Sequence, residues 1–165
     1  MLIRMITPQD ASDFVRLNKQ LDEETKFMMF EPGERKMTVE AQETRIHSML
    51  DSGHSTIFVA EDEGELVGQL SIIGSSLART KHTAYLVIGI KQKCTGQGLG
   101  GKLFSAMEEW CQKKGLHRLE LTVMSHNTAA FRLYQKVGFQ VEGTKKHSLL
   151  IDGTYIDEYF MAKCL

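Results

Sequence analysis

Between a stretch that reads as a strand, Thr83–Lys91, and one that reads as an amphipathic helix, Leu99–Lys114, the chain runs Thr95-Gly96-Gln97-Gly98-Leu99-Gly100-Gly101-Lys102. Glycine reaches positive φ without steric cost and keeps the backbone bare. Bare backbone at the start of a helix points several N–H groups into one concavity, and the helix dipole adds positive potential there. That combination binds phosphate or pyrophosphate. Lys91, Lys93 and Lys102 lie beside it in sequence. A turn that merely needs positive φ would also use glycine. The density of glycines at a strand-to-helix junction favours the anion site.

The surrounding pattern sets the architecture. Leu2–Ile6 alternates as a short strand. Thr7-Pro8-Gln9-Asp10 is a helix start, with Thr as N-cap and Pro at the first helical position. The stripe Phe14, Val15, Leu17, Leu21 carries that helix to about Glu24. After a Phe27–Lys36 loop, Thr38 caps a second helix that Gly53 ends. Thr56–Ala60 and Leu66–Ile73 flank Asp62-Glu63-Gly64 as an antiparallel hairpin. Thr83–Lys91 follows, with Gly89 inside it marking either a bulge or a close backbone approach. Then come the helix Leu99–Lys114, the strand Leu116–Met124, the helix Asn127–Val137, and two strands, about Phe139–Leu150 and Tyr155–Ala162. The reading is an α/β (α+β) fold, one domain over 1–165. Its mixed, mostly antiparallel sheet has about seven strands, flanked by about four helices, with one parallel crossover around Leu99–Lys114.

Composition bounds the function. A net charge of −1 does not suit a nucleic-acid binder. Apolar runs such as Tyr85–Ile90 fall far short of the roughly 20 residues of a membrane helix. Met1–Ile6 is too short, and too charged, for a secretory core. The three cysteines, Cys94, Cys111 and Cys164, are scattered. Reduced thiols and a cytoplasmic setting are therefore expected. The six histidines show no metal-ligand spacing, so no metal is expected.

Gly96-x-Gly98-x-x-Gly101 formally fits a dinucleotide fingerprint. However, Lys91–Thr95 separate its first glycine from the strand, and Glu120 sits mid-strand rather than at a strand end. No GxxxxGK[ST] exists for a P-loop. A different match is stronger. Thr95 to Gly100 resembles the acetyl-CoA signature (Q/R)xxGx(G/A) of the GCN5-related N-acetyltransferase (GNAT) family. Asn127-Thr128-Ala129-Ala130-Phe131-Arg132-Leu133-Tyr134-Gln135-Lys136-Val137-Gly138-Phe139 resembles that family's NxxAxxLYxKxGF segment. The element order carries the resemblance over the whole chain. Thr95 departs from the family's Gln or Arg, which removes one side-chain phosphate contact and leaves the amides.

The resemblance implies an N-acetyltransferase that carries acetyl from acetyl-CoA to a primary amine by direct attack. Thr95 opens the cofactor loop, and the pyrophosphate is expected on the amides of Gly96, Gln97, Gly98, Gly100 and Gly101. The pantetheine arm is expected along the strand edge at Ile88 and Ile90, where backbone N–H groups would also polarise the thioester carbonyl. Asn127 is an N-cap that, by resemblance, also contacts pantetheine. Tyr134 reads either as a core tyrosine or, as the resemblance implies, as the acid that protonates the departing thiolate.

The acceptor side is less defined. The position where relatives carry a carboxylate corresponds to Tyr85, so no base is assigned. Glu31, in the loop expected to wall the acceptor cleft, is a candidate, with Glu34 and a water relay as rivals; a solvated loop with its carboxylates paired to Arg35 is the favoured reading of both. Residues 1–75 carry net −7 and residues 76–165 net +6, which suits a cationic acceptor facing an anionic cofactor. The acceptor itself stays open among a peptide N-terminus, a polyamine, an amino sugar and a xenobiotic amine, and a homodimer is left open. The alternative to an enzyme is a non-catalytic acyl-CoA binding or sensing module on the same fold. A nicotinamide binder ranks third.

Overall fold

A computed structural model describes residues 1–165. The strands are β1 (Leu2–Met5), β2 (Thr56–Asp62), β3 (Glu65–Gly74), β4 (Thr83–Ile90), β5 (Arg118–Met124), β6 (Gln140–Ile151) and β7 (Thr154–Cys164). The helices are α1 (Ala11–Glu24), α2 (Val39–Ser52), α3 (Leu99–Lys113) and α4 (Thr128–Lys136). No helix is long and apolar enough to cross a membrane.

Local chemistry starts each helix where the sequence signals it. The Asp10 carboxylate accepts hydrogen bonds from the Thr7 N–H at 2.7 Å and hydroxyl at 3.0 Å. The Arg4 fork grips both Asp10 oxygens at 2.8 Å, tying β1 to the start of α1. Thr38 Oγ1 accepts from the Ala41 N–H at 3.1 Å, satisfying one of the free donors of α2. Gly53, at φ 73°, ends that helix in the left-handed conformation.

The strands form one sheet in the order β1-β2-β3-β4-β5-β7-β6. Only β4 and β5 run parallel, as the crossover through α3 requires. Two cores cover its two faces. Leu103, Phe104, Met107 and Cys111 of α3 pack with Leu70, Ile72, Leu86 and Leu119. Phe14, Leu17 and Leu21 of α1 pack with Ile46 of α2 and with Ile57 and Val59. Burying each such side chain is worth about 1.5–3 kcal/mol.

The sheet forks in its centre. β4 pairs with β5 only over Thr83–Tyr85 against Arg118–Glu120. Beyond that point β4 stays with β3 as far as Ile90, while β5 stays with β7 as far as Met124. The Tyr85 hydroxyl and Thr122 Oγ1, 2.9 Å apart, bridge the two halves at the fork.

Gly89 is not a bulge. The β3–β4 register runs unbroken from Gly68↔Ile90 to Gly74↔Ala84, and the bulges lie instead at Val67 of β3, in its pairing with β2, and in β6. Gly89 is glycine because α1 lies against it: an added Cβ would stand 2.6 Å from Leu21 Cδ1. The C-terminal hairpin also holds a detail that periodicity does not reach. β7 inserts between β5 and β6.

Candidate active site

The fork opens into a cleft of about 1070 Å³ that runs from the glycine loop to the underside of α1 and α2. At the loop end, Gly96 (φ 73°) and Gly98 (φ 78°) are left-handed, and α3 begins at Leu99. The N–H groups of Gly96, Gln97, Gly98, Leu99, Gly100 and Gly101 donate to no protein acceptor; the first bonded amide is Lys102, on Gly98 O at 3.2 Å. A Cβ built on Gly96, Gly98 or Gly101 meets nothing within 4 Å. Six consecutive free donors around open space, at the positive end of a helix, form a cradle for a pyrophosphate. Gly100 differs from its neighbours. Its Cβ would stand 2.6 Å from Leu133 Cδ2, so it is also the contact that lets α4 pack on α3.

The remaining loop residues serve the loop itself. Thr95 donates its hydroxyl to Gln92 O at 2.8 Å, and Gln97 donates its amide to Lys93 O at 2.9 Å. Glu24 accepts from the Gln92 N–H at 2.8 Å, tying the end of α1 to the loop. The cations are not those adjacent in sequence. Lys91 is buried and donates to Glu65 at 2.5 Å, and Lys93 donates to the same carboxylate at 2.8 Å. Lys102 lies outside the cleft lining; Arg132 and Lys136, one turn apart on α4, line it instead.

The Lys91 N–H donates to Val67 O at 2.9 Å. By the alternation of an antiparallel ladder, Gly89, Val87 and Tyr85 then face β3 with their backbone groups. Leu86, Ile88 and Ile90 face the other way, toward the β5 side, where no strand pairs past Tyr85. Ile88 and Ile90 therefore present a free edge to the cleft.

Asn127 and Tyr134 also line this cleft. Asn127 Oδ1 caps α4 by accepting from the Ala130 N–H at 3.3 Å, and its Nδ2 makes no hydrogen bond in the fold. Tyr134 is buried and packs edge-on against Phe104. Its hydroxyl has no hydrogen-bond partner in the fold, although it is not among the fully enclosed polar atoms. Burial, and secondly the neighbouring Tyr85 phenol, push the Tyr134 phenol well above its usual range.

The far end of the cleft is a chamber beneath α1 and α2. Gln69, Ser71 and Ile73 of β3 stand directly opposite Gly89, Val87 and Tyr85 of β4, so all six share the face that α1 covers. Phe14, Asn18 and Leu21 of α1, Gln42, Arg45 and Met49 of α2, and the loop residues Phe27 to Phe30 close it. Glu31 and Glu34 lie elsewhere: both are exposed and neither lines the cleft, while a Glu34 oxygen accepts from the Glu31 N–H at 2.8 Å and braces the loop. Arg35 pairs with Asp22, not with either glutamate. Of the carboxylates of the first half only Glu24 lines the cleft; Asp10 and Asp22 are buried against Arg4 and Arg35.

Sequence reasoning does not reach Gln42, Arg45, Glu158, Arg132 or Lys136. The signal for the α2 pair is the i, i+3, i+7 spacing of Gln42, Arg45 and Met49, which puts them on one helix face. Glu158 is buried, accepts from Ser148 Oγ at 2.9 Å and lies 3.7 Å from Lys145 Nζ, all through Oε1. It is the cleft carboxylate with an unbonded oxygen, Oε2, since both Glu24 oxygens are occupied.

The family model described as acetyltransferase (GNAT) matches residues 18–139. The L-amino acid N-acetyltransferase AaaT of Escherichia coli K12 is 36% identical over 106 residues, which is 64% of this chain and 65% of that protein. The match thus spans just under two thirds of that curated relative. A GNAT-family acetyltransferase from Streptococcus pneumoniae superposes with a TM-score of 0.96 at 32% identity, covering 99% of both chains. The yncA protein of Salmonella typhimurium, solved with its cofactor acetyl-CoA, shares the fold with a TM-score of 0.88 at 22% identity, over 100% of this chain and 94% of that one.

Proposed function

The chain belongs to the GNAT family of acetyltransferases, and on that premise we propose that it transfers an acetyl group from acetyl-CoA to the primary amine of an acceptor, with residues 1–165 acting as one catalytic domain. The observation that carries the reading is the pairing, in one cleft, of six unpartnered N–H groups from Gly96 to Gly101 with the unbonded hydroxyl of Tyr134. Acetyl-CoA supplies a thioester carbonyl on which a neutral amine forms the amide as the C–S bond breaks. The loop amides hold the pyrophosphate, and Arg132 and Lys136 add charge beside it. The free edge at Ile88 and Ile90 would take the peptide-like arm as an added strand does, leaving its N–H groups available to the thioester carbonyl. Donors so placed are worth about 3 kcal/mol each as an oxyanion develops. Asn127 Nδ2 steadies the arm.

Two protons move. The acceptor arrives as an ammonium, because an alkylamine near pKa 10 is almost wholly protonated at neutral pH; in that sense the acceptor is cationic. Glu158 Oε2 receives the proton that frees the lone pair. Burial holds the Tyr134 phenol protonated and disfavours its anion. It donates to the sulfur as the C–S bond breaks and takes the remaining proton of the former amine nitrogen in exchange, so no buried phenolate is left.

The test is thiol release from acetyl-CoA across an amine panel that includes amino acids, peptides and polyamines. Tyr134→Phe keeps the shape and removes one hydroxyl. Turnover is expected to fall about a hundredfold with acetyl-CoA affinity unchanged. Unchanged turnover would return Tyr134 to a packing role. Tight acetyl-CoA binding without thiol release for any amine would support the sensing module instead.

A further inference from the structure

At the closed end of the chamber, under α1, two side-chain amides are more than nine-tenths buried, and each keeps one atom unbonded and open to the cleft. Asn18 of α1 is 6% exposed and Gln69 of β3 is 2% exposed, and both line the cleft. Asn18 Nδ2 donates to Phe14 O at 3.1 Å. A carbonyl only accepts, so that bond fixes the amide and leaves Oδ1 without a partner. Gln69 Oε1 accepts from the Ser71 hydroxyl at 2.8 Å, which leaves Nε2 unbonded. Neither free atom is among the fully enclosed ones, so a molecule in the cleft can reach both. Asn18 lies one turn before Leu21 on the same face of α1. Leu21 lies against Gly89, and Gly89 is the residue of β4 directly opposite Gln69. No charged side chain of the cleft bonds to either amide. Glu24 and Arg35 are taken up by Gln20, Gln92 and Asp22, and Arg45 is exposed, while Glu158, Arg132 and Lys136 belong to β7 and α4. The buried end of the chamber therefore offers one acceptor and one donor, both neutral.

We propose that Asn18 Oδ1 and Gln69 Nε2 form a subsite for a hydroxyl group, and that the acceptor is a short aliphatic amine carrying that hydroxyl, an amino alcohol. A hydroxyl both donates and accepts, so one oxygen answers both amides. A carboxylate only accepts, and would set its charge against Asn18 Oδ1. An ammonium only donates, and would set its charge against the Gln69 amide. A peptide bond has both functions, but its chain must continue past them, and the buried wall of Phe14, Leu21 and Ile57 leaves it no exit. Neighbouring strands lie about 4.8 Å apart, so Gln69 stands roughly 5–10 Å from the free edge of β4, a span that a chain of about three to six carbons covers. The inference rests on the acetyl-transfer reading for its reaction and on α1 and β3 for its recognition.

Straight-chain amino alcohols from aminopropanol to aminohexanol, with the two groups at opposite ends, are each compared with the alkylamine that carries a methyl in place of the hydroxyl. This comparison needs no variant. At the chain length that fits, the wild type is expected to prefer the alcohol in kcat/KM by about tenfold or more, the worth of two neutral hydrogen bonds, and chiefly through KM. Gln69→Met and Asn18→Leu keep the size of the side chain. Each should lower that preference by about threefold to tenfold and leave the alkylamine within about twofold. Calorimetry of both ligands into the CoA-loaded protein gives a second readout that needs no turnover. Tighter binding of the alcohol that Gln69→Met weakens, without thiol release, would sustain the subsite and sink the enzyme reading. Thiol release with other amines, with no preference for the hydroxyl at any chain length, would sustain the enzyme and overturn the subsite. A preference that survives both substitutions would also overturn it.

Discussion

Replacing Gly89 by alanine probes the packing that shapes the acceptor chamber. The backbone accepts alanine, because the φ of Gly89 lies outside the left-handed region. The side chain does not fit: its Cβ would stand 2.6 Å from Leu21 Cδ1, while Met28 Cε at 3.5 Å is an ordinary contact. Carbon atoms at rest sit about 3.5–4.0 Å apart, so Leu21 must withdraw by roughly 1 Å. Leu21 is 1% exposed, and the side on which it can yield is the chamber it lines, at the expense of its packing in the α1 core. Overpacking of this kind costs about 1–3 kcal/mol, and removing a strand glycine returns about 0.5–1 kcal/mol. The net expectation is a loss of about 1–2 kcal/mol. For 165 residues, an unfolding entropy near 2.1 cal/mol/K per residue turns that into a Tm lower by roughly 3–6 °C. Urea unfolding should show a lower midpoint with an unchanged slope. The decisive arm is the Leu21→Ala background, itself about 2–5 kcal/mol less stable. There the new methyl enters the space that Leu21 vacated, and Gly89→Ala should stabilise. A substitution that is neutral in the wild type, or has the same sign in both backgrounds, would refute the steric account.

Other expectations follow from the same geometry. Gly98→Val puts a branched side chain at φ 78°, in the open space of the phosphate cradle; calorimetry should show CoA affinity reduced about tenfold or more. Glu158→Gln should remove the acidic limb of the kcat/KM profile. Glu31→Gln and Glu34→Gln, outside the cleft, should leave the acceptor KM within about twofold, and a larger change in either would return that loop to the site. Asp10 is held at about 2 by its hydrogen bond from Arg4, despite burial. Its folded pKa is below the unfolded value of about 3.9, so its contribution is complete above about pH 4 and is lost as pH falls toward 2. Arg4→Met should flatten stability across that acid window in pH-dependent unfolding; an unchanged slope would remove the Arg4–Asp10 pair from the account.

The sequence by itself determined the local and the periodic. Thr7, Asp10, Thr38 and Gly53 act on neighbours within one turn, so caps and stops are legible residue by residue. The glycine loop is legible for the same reason, because its amides belong to consecutive residues at one helix start. The free backbone edge at Ile88 and Ile90 was foreseen only through the family resemblance. The tertiary structure decided what depends on residues far apart. Gly89 is glycine because Leu21, a full helix and two strands earlier in the chain, lies against it; the sequence leaves a bulge and a close approach equally open, and only packing chooses the second. The insertion of β7 between β5 and β6 depends on a long-range pairing to which no local pattern is coupled. Nearness in sequence also misled over charge: Lys91 and Lys93 are consumed by Glu65, Glu31 and Glu34 face outward, and Arg132, Lys136 and Arg45 reach the cleft from helices whose orientation only packing fixes. The glycine-loop end of the cleft was therefore readable from the chain, because one loop makes it. The acceptor end was not, because α1, α2, β3, β4, β5 and β7 assemble it together.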